Sequence, residues 1–150
     1  MEVERVRIRR TGIISAATAA VTLLSVSAAT AEDFLWSGYW REATAGMESR
    51  RWSDEQYSQV LYRNCSGPRS SSGSKPYNTD IQMHRDISAW PDADYDNKTF
   101  SECFKGYMHQ SNGEWHDLPK GQYYFSVEAV RGGVGKLDVE VVMVDNTSAD

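Results

Sequence analysis

The clearest pattern of apolar and polar positions lies near the end of the chain. Between residues 123 and 129, apolar residues at the odd positions alternate with Tyr, Ser and Glu at the even ones. Residues 137–143 alternate in the same way, and the glycine-rich residues 131–135 separate the two segments. Alternation with a period of two on both sides of a glycine-rich connection is typical of a β-hairpin. We therefore expect two paired antiparallel strands here.

Several upstream segments have weaker strand character. Aromatic and branched side chains enrich residues 57–64, and residues 80–88 place Ile81, Met83 and Ile87 on one face. Further candidate strands are residues 34–40, 47–53 and 98–105. Turn residues separate these segments, notably the polar stretch 66–76 and the Asn112-Gly113 pair. No window of twelve or more residues has convincing helical periodicity.

Short strands separated by turn signals predict an all-β fold class. We expect a single antiparallel β-sandwich, of jelly-roll or immunoglobulin-like type, or a small barrel, formed by residues 32–150. The chain has 150 residues, which is enough for one domain and leaves no room for two.

Residues 1–31 have the order of a secretory signal peptide. Four arginines among the first ten residues precede an apolar stretch rich in Ala, Ser and Thr, and Ala29-Thr30-Ala31 fits a signal-peptidase site. We predict cleavage after Ala31. The stretch is too diluted by hydroxyl residues to match the roughly 20 strongly apolar residues of a spanning helix. The mature chain should therefore be secreted and extracellular, without a membrane span.

The predicted mature segment is acidic. Residues 32–150 carry 19 acidic and 12 basic side chains. This balance argues against nucleic acid as a partner, because affinity for nucleic acid depends on neutralising phosphates.

Cys65 and Cys103 are the only cysteines in the chain. An even number of cysteines in an exported protein predicts a disulfide. We expect this bridge to stabilise the fold by roughly 4 kcal/mol in the chain-entropy model. The alternative is a reactive cysteine pair, but redox motifs of the thioredoxin type keep their cysteines much closer together.

One segment resembles a set of calcium ligands. Asp92, Asp94 and Asp96 place carboxylates at alternate positions, and Asn97 stands where calcium loops favour glycine. The position at which a bidentate Glu belongs is Cys103, so an EF-hand is not expected. The alternative is a solvated acidic turn. Apart from this candidate calcium site, no motif requires a cofactor.

Aromatic residues are the second clue to a binding role. We expect at least some of four tryptophans to be exposed near turns or strand ends, where they could stack on sugars or anchor a protein: Trp36, Trp40, Trp90 and Trp115. The alternative is that these rings complete the core.

No catalytic motif of a known spacing is present in the chain. Our main hypothesis is therefore a small secreted non-enzymatic binding protein that recognises a carbohydrate or a protein, or acts as an inhibitor. The first alternative is a small secreted hydrolase that brings His109 or His116 together with Glu114 or Asp117, or uses a carboxylate pair such as Asp54-Glu55. The second is a structural, envelope-associated protein without a ligand.

Overall fold

The computed structural model describes residues 34–147, most of which lie in β-strands. The strands are β1 (Phe34–Ala43), β2 (Trp52–Ser66), β3 (Pro76–Asp86), β4 (Ala93–Phe100), β5 (Gln110–Gly132) and β6 (Leu137–Asp145), with a short 3-10 helix at Glu102–Lys105. The predicted signal peptide, residues 1–31, lies outside the described residues, so its presence and cleavage stay predictions. No helix within residues 34–147 is long and apolar enough to cross a bilayer.

All six strands belong to one antiparallel sheet, in the order β1-β6-β2-β5-β3-β4. This confirms the all-β antiparallel class predicted from the sequence. The long strand β5 pairs with β2 along its first half and with β3 along its second half. The segment between β1 and β2 runs along the other side of that second half, where Ser49 N donates to the Phe125 carbonyl oxygen at 2.8 Å.

The predicted hairpin near the end of the chain is wrong in its pairing. Both predicted segments are strands, within β5 and β6, but β2 lies between them. Tyr62 of β2, for example, pairs with Ser111 of β5 on one side and with Val142 of β6 on the other. Alternation reports which face of a strand is buried and leaves open which strand lies beside it. Gly132 and Gly133, with φ angles of 84° and 61°, turn the chain out of β5 toward β6.

Three other local predictions need correction. Asn112-Gly113 is not a turn, since both residues lie within β5. A Cβ at Gly113 would come within 3.0 Å of the rings of Phe100 and Trp115, so this glycine permits close packing. The predicted strand 98–105 ends at Phe100 and continues as the 3-10 helix, and residues 47–53 enter a regular strand only at Trp52.

Aromatic rings from both edges of the sheet meet in one core. Trp40 of β1 lies 5.9 Å from the ring of Tyr62, and Phe100 at the end of β4 lies 4.9 Å from the same ring. Neighbouring strands of a sheet are about 4.8 Å apart, so in a flat sheet of six strands the two edges could not reach one side chain. The sheet therefore curls around its buried face.

The predicted disulfide between Cys65 and Cys103 is confirmed, with Cα atoms 5.0 Å apart. Both cysteines are buried. The bridge joins the end of β2 to the 3-10 helix and closes a loop that contains β3, β4 and the exposed polar residues around Ser70.

Candidate functional site

The four candidate tryptophans differ in how much of each side chain is exposed. Trp115, predicted in or near a turn, lies inside β5 with only 2 % of its surface exposed, and its Nε1 donates to the Asp96 carbonyl oxygen at 2.9 Å. Trp36 and Trp40 are partly buried and pack against the core. Trp90, by contrast, is 76 % exposed. Of the four, Trp90 is the one whose side chain is largely exposed to solvent.

Trp90 lies in the turn between β3 and β4, and this turn is held by side chains of the sheet. Asp92 accepts hydrogen bonds from Ile87 N at 3.1 Å and from the Tyr124 hydroxyl at 2.6 Å. These two bonds lower the pKa of the Asp92 carboxyl. Within the turn, Trp90 N donates to the Ile87 carbonyl oxygen at 3.2 Å. The exposed Trp90 side chain therefore extends from a turn that hydrogen bonds hold against the sheet.

Beside this turn, Tyr124 of β5 contacts a cation and an imidazole. The guanidinium carbon of Arg51 lies 4.3 Å from the centroid of the Tyr124 ring, and the ring of His84 stacks on it at 4.8 Å. Arg51 Nε also donates to Asp86 at 2.5 Å, and this bond raises the pKa of the guanidinium. Burial and the Asp92 carboxylate raise the pKa of the Tyr124 hydroxyl.

His84 uses both ring nitrogens on this face. Its Nδ1 is 2.8 Å from Oδ1 of Asp94, and its Nε2 is 2.6 Å from Oγ of Ser126. The Ser126 hydroxyl also lies 2.5 Å from Oε1 of Glu128. We name this surface the Trp90 face and define it by Trp90, Arg51, His84, Asp92, Asp94, Tyr124, Ser126 and Glu128. It spans the outer side of β3, β4 and β5.

The three carboxylates of the candidate calcium site do not converge on one point where an ion could bind. Asp92 accepts from Tyr124, Asp94 contacts His84, and Asp96 lies 2.6 Å from the Lys98 ammonium. Within residues 34–147, no group of three or more His, Cys, Asp or Glu side chains is arranged to hold a metal ion. The described geometry thus gives calcium binding no support, and calcium stays a prediction.

A concave surface lies between β2 and β5, near their irregular pairing. It is a shallow cleft of about 470 Å³ lined by Asp54, Glu55 and Lys120 among others, and Glu55 is shared with a smaller cleft of about 240 Å³. Burial raises the pKa of Asp54. Its carboxylate accepts hydrogen bonds from Ser58 Oγ and from Glu55 N. The Asp54 carboxylate thus makes its hydrogen bonds within the protein.

The hydrolase residues considered from the sequence are only partly brought together. His116 and Asp117 line the smaller cleft, and His116 Nε2 is 3.4 Å from Glu114. All three are exposed to solvent. His109 lies apart from them in the turn before β5, where its N–H donates to the Gly106 carbonyl oxygen at 3.0 Å.

Sequence reasoning missed the hydrogen-bonded cluster of His84, Ser126 and Glu128. The alternation of apolar and polar residues did place all three at polar positions of their strands, and this was the only sign of them in the sequence. Their convergence depends on the pairing of His84 with Tyr124 and with Asp94 across two strand boundaries. That register is not visible in a single sequence.

Comparison with protein-family models, with curated proteins and with solved structures finds no match to this chain.

Proposed function

We propose that the chain is a secreted binding protein that recognises an extracellular polysaccharide through Trp90 and the polar groups beside it. The observation that carries this proposal is the Trp90 ring, 76 % exposed on a turn that Asp92 fixes to the sheet. A flat ring held in place can stack on the face of a sugar with little further loss of conformational entropy.

The surroundings of Trp90 favour a sugar over a protein as the ligand. The centre of a protein–protein interface is typically depleted of charged residues. The Trp90 face instead combines an exposed ring with Arg51, Asp94 and Glu128, whose planar groups can bind sugar hydroxyls. A partner protein would need to desolvate these charges, whereas a hydrated polysaccharide leaves most of them in contact with water.

The scaffold of this proposal is a small, partly open barrel that is exported by the predicted signal peptide. The convergence of Trp40 and Phe100, from the two edge strands, on the ring of Tyr62 supports a barrel over two stacked sheets. Export is supported by the signal-like residues 1–31 and by the disulfide, since such bridges persist in oxidising compartments.

Two other functions remain as alternatives. A hydrolase built on His116 is disfavoured because His116, Glu114 and Asp117 are exposed, and catalytic groups act most strongly where water is excluded. A structural role without a ligand would leave the exposed position of Trp90 unexplained.

Retention on insoluble polysaccharides tests the proposal. The secreted protein is mixed with chitin, cellulose and peptidoglycan, and the unbound fraction is measured against protein concentration. Trp90→Ala should weaken binding about tenfold or more, the equivalent of roughly 1.4 kcal/mol. Tyr107→Ala is the matched control, because Tyr107 is also an exposed aromatic residue, 70 % exposed in a different turn. Equal retention of Trp90→Ala and the unaltered protein would reject the proposal, and retention on none of these materials would count against a polysaccharide ligand.

A further inference from the structure

The Trp90 face contains a constellation whose chemistry goes beyond binding. His84 lies between a carboxylate on Nδ1 and a hydroxyl on Nε2, at 2.8 Å and 2.6 Å. In this arrangement the carboxylate orients the imidazole, and the imidazole removes the proton of the hydroxyl so that its oxygen can attack a carbonyl. We propose that Ser126, His84 and Asp94 form an acyl-transfer site that hydrolyses small esters.

Strand pairing fixes the three groups relative to one another. His84 of β3 pairs directly with Asp94 of β4 and with Tyr124 of β5, and Ser126 follows Tyr124 on the same face. The Tyr124 ring stacks against the imidazole with an angle of 17° between the planes. Because each group stands on a paired strand, the hydroxyl and its base are held in place before a substrate binds.

The Ser126 hydroxyl has two possible acceptors and only one proton. With neutral His84, Nδ1–H donates to Asp94, and Nε2 accepts from Ser126. With protonated His84, Nε2–H donates to Ser126, which then donates to Glu128 at 2.5 Å. Only the first arrangement produces a nucleophile. Glu128 therefore competes with His84 for the Ser126 proton.

The charged groups around His84 come from three elements. Asp94 contacts it from β4, Glu128 lies 4.0 Å from its Nε2 on β5, and Asp92 contributes negative charge from the turn. Arg51 contacts Tyr124, the ring on which His84 stacks. The Arg51 guanidinium is itself paired with Asp86 and Glu48.

The proposed reaction needs only an ester and a water molecule as reactants. The Ser126 oxygen bonds to the ester carbonyl carbon while its proton passes to His84 Nε2. The tetrahedral intermediate collapses, the bond to the alkoxide breaks, and His84 returns the proton to form the alcohol. A water molecule then gives a proton to His84, and its oxygen bonds to the acyl carbon. The Ser126 oxygen departs with that proton, which leaves the acid and the free hydroxyl.

Limited access to Ser126 defines the class of substrate. Ser126 is 6 % exposed, and the side chain of His84 is 12 % exposed. The two clefts described above, between β2 and β5, are not lined by Ser126 or His84. A bulky acyl group would not reach the hydroxyl, so the substrate is an acetyl ester or an ester of similar size.

An acetyl ester, p-nitrophenyl acetate, tests the proposal on the secreted protein. Acid quenching during turnover should trap the acetyl label on Ser126, located by mass spectrometry of the labelled peptide, and no variant is needed for this result. Hydrolysis of p-nitrophenyl acetate should fall at least about 100-fold in Ser126→Ala, the scale of losing a nucleophile and its base. Asp94→Asn should lower the rate, and Glu128→Gln should raise it, because the competing carboxylate acceptor of the Ser126 proton is removed.

His116→Gln is the matched control, because His116 is a surface histidine beside the Glu114 carboxylate with no serine at hydrogen-bond distance in the described structure. Its rate should equal that of the unaltered protein, which separates the site from general reaction of surface imidazoles with the ester. Labelling of Ser126 and retention on polysaccharide are separate measurements on the same protein, so failure of polysaccharide binding and failure of this site are distinguishable. An unlabelled Ser126 in folded protein, or Ser126→Ala with the full rate, would overturn the proposal.

Discussion

Breaking the Cys65–Cys103 bridge should lower the melting temperature by a predictable amount. The two cysteines are 38 residues apart in sequence, and the loop they close contains β3 and β4. In the chain-entropy model, opening a loop of this size increases the entropy of the unfolded chain and costs about 3.9 kcal/mol of stability at 25 °C. The unfolding entropy of a folded body of about 115 residues is about 240 cal/mol/K, so the melting temperature should fall by roughly 15 °C.

The burial of both cysteines makes the choice of variant informative. Reduction keeps both sulfur atoms in the core and removes only the covalent link. Replacing both cysteines with alanine also removes buried volume, and replacing both with serine buries hydroxyl groups at a cost of about 1–3 kcal/mol each if they lack partners. Stability should therefore decrease from the reduced protein to the double alanine variant and then to the double serine variant.

Calorimetry of the oxidised and reduced protein measures the effect, with mass spectrometry after alkylation confirming that both thiols are free. Because total stability is typically about 5–15 kcal/mol, the reduced protein should still fold at 25 °C. A fall in melting temperature of less than about 4 °C on complete reduction would refute the entropic argument, since the predicted change is several times larger.

Three further outcomes follow from the packing. Trp115→Ala should destabilise the fold by about 3–5 kcal/mol in urea unfolding, because the ring is buried; a change below about 1 kcal/mol would contradict its place in the core. Gly132→Ala should destabilise markedly, because its φ is +84° and a Cβ would collide with backbone, whereas Gly38→Ala should be nearly neutral in the same melts. The bond from Arg131 lowers the pKa of Asp80, so Asp80 should stabilise the fold above about pH 4, its ordinary pKa, and lose this effect as the pH falls through its lowered value. Asp80→Asn should thus be less stable than the unaltered protein at pH 7, with the difference vanishing in acid; a constant difference would contradict this reasoning.

Much of the candidate site was visible only as scattered residues. Alternation placed Ser126 and His84 on the polar faces of their strands, and turn signals placed Trp90 near a break between strands. Trp90 does lie in a turn and His84 is partly exposed, but Ser126 is buried, because residues 123–127 of β5 are buried on both faces. The sequence could not place Trp115, because a ring beside Asn112-Gly113 looks like a turn residue until the partner strands that bury it are known.

The sequence alone determined that this protein is built of antiparallel strands and that its two cysteines form one bridge. Both follow from local information: the period of burial along each segment, and the number of cysteines available to pair. The tertiary structure decided that β2 lies between β5 and β6, and that His84, Asp94 and Ser126 meet on one face. Side-chain alternation is the same for every possible neighbour of a strand, so strand order and register come only from packing of the whole sheet.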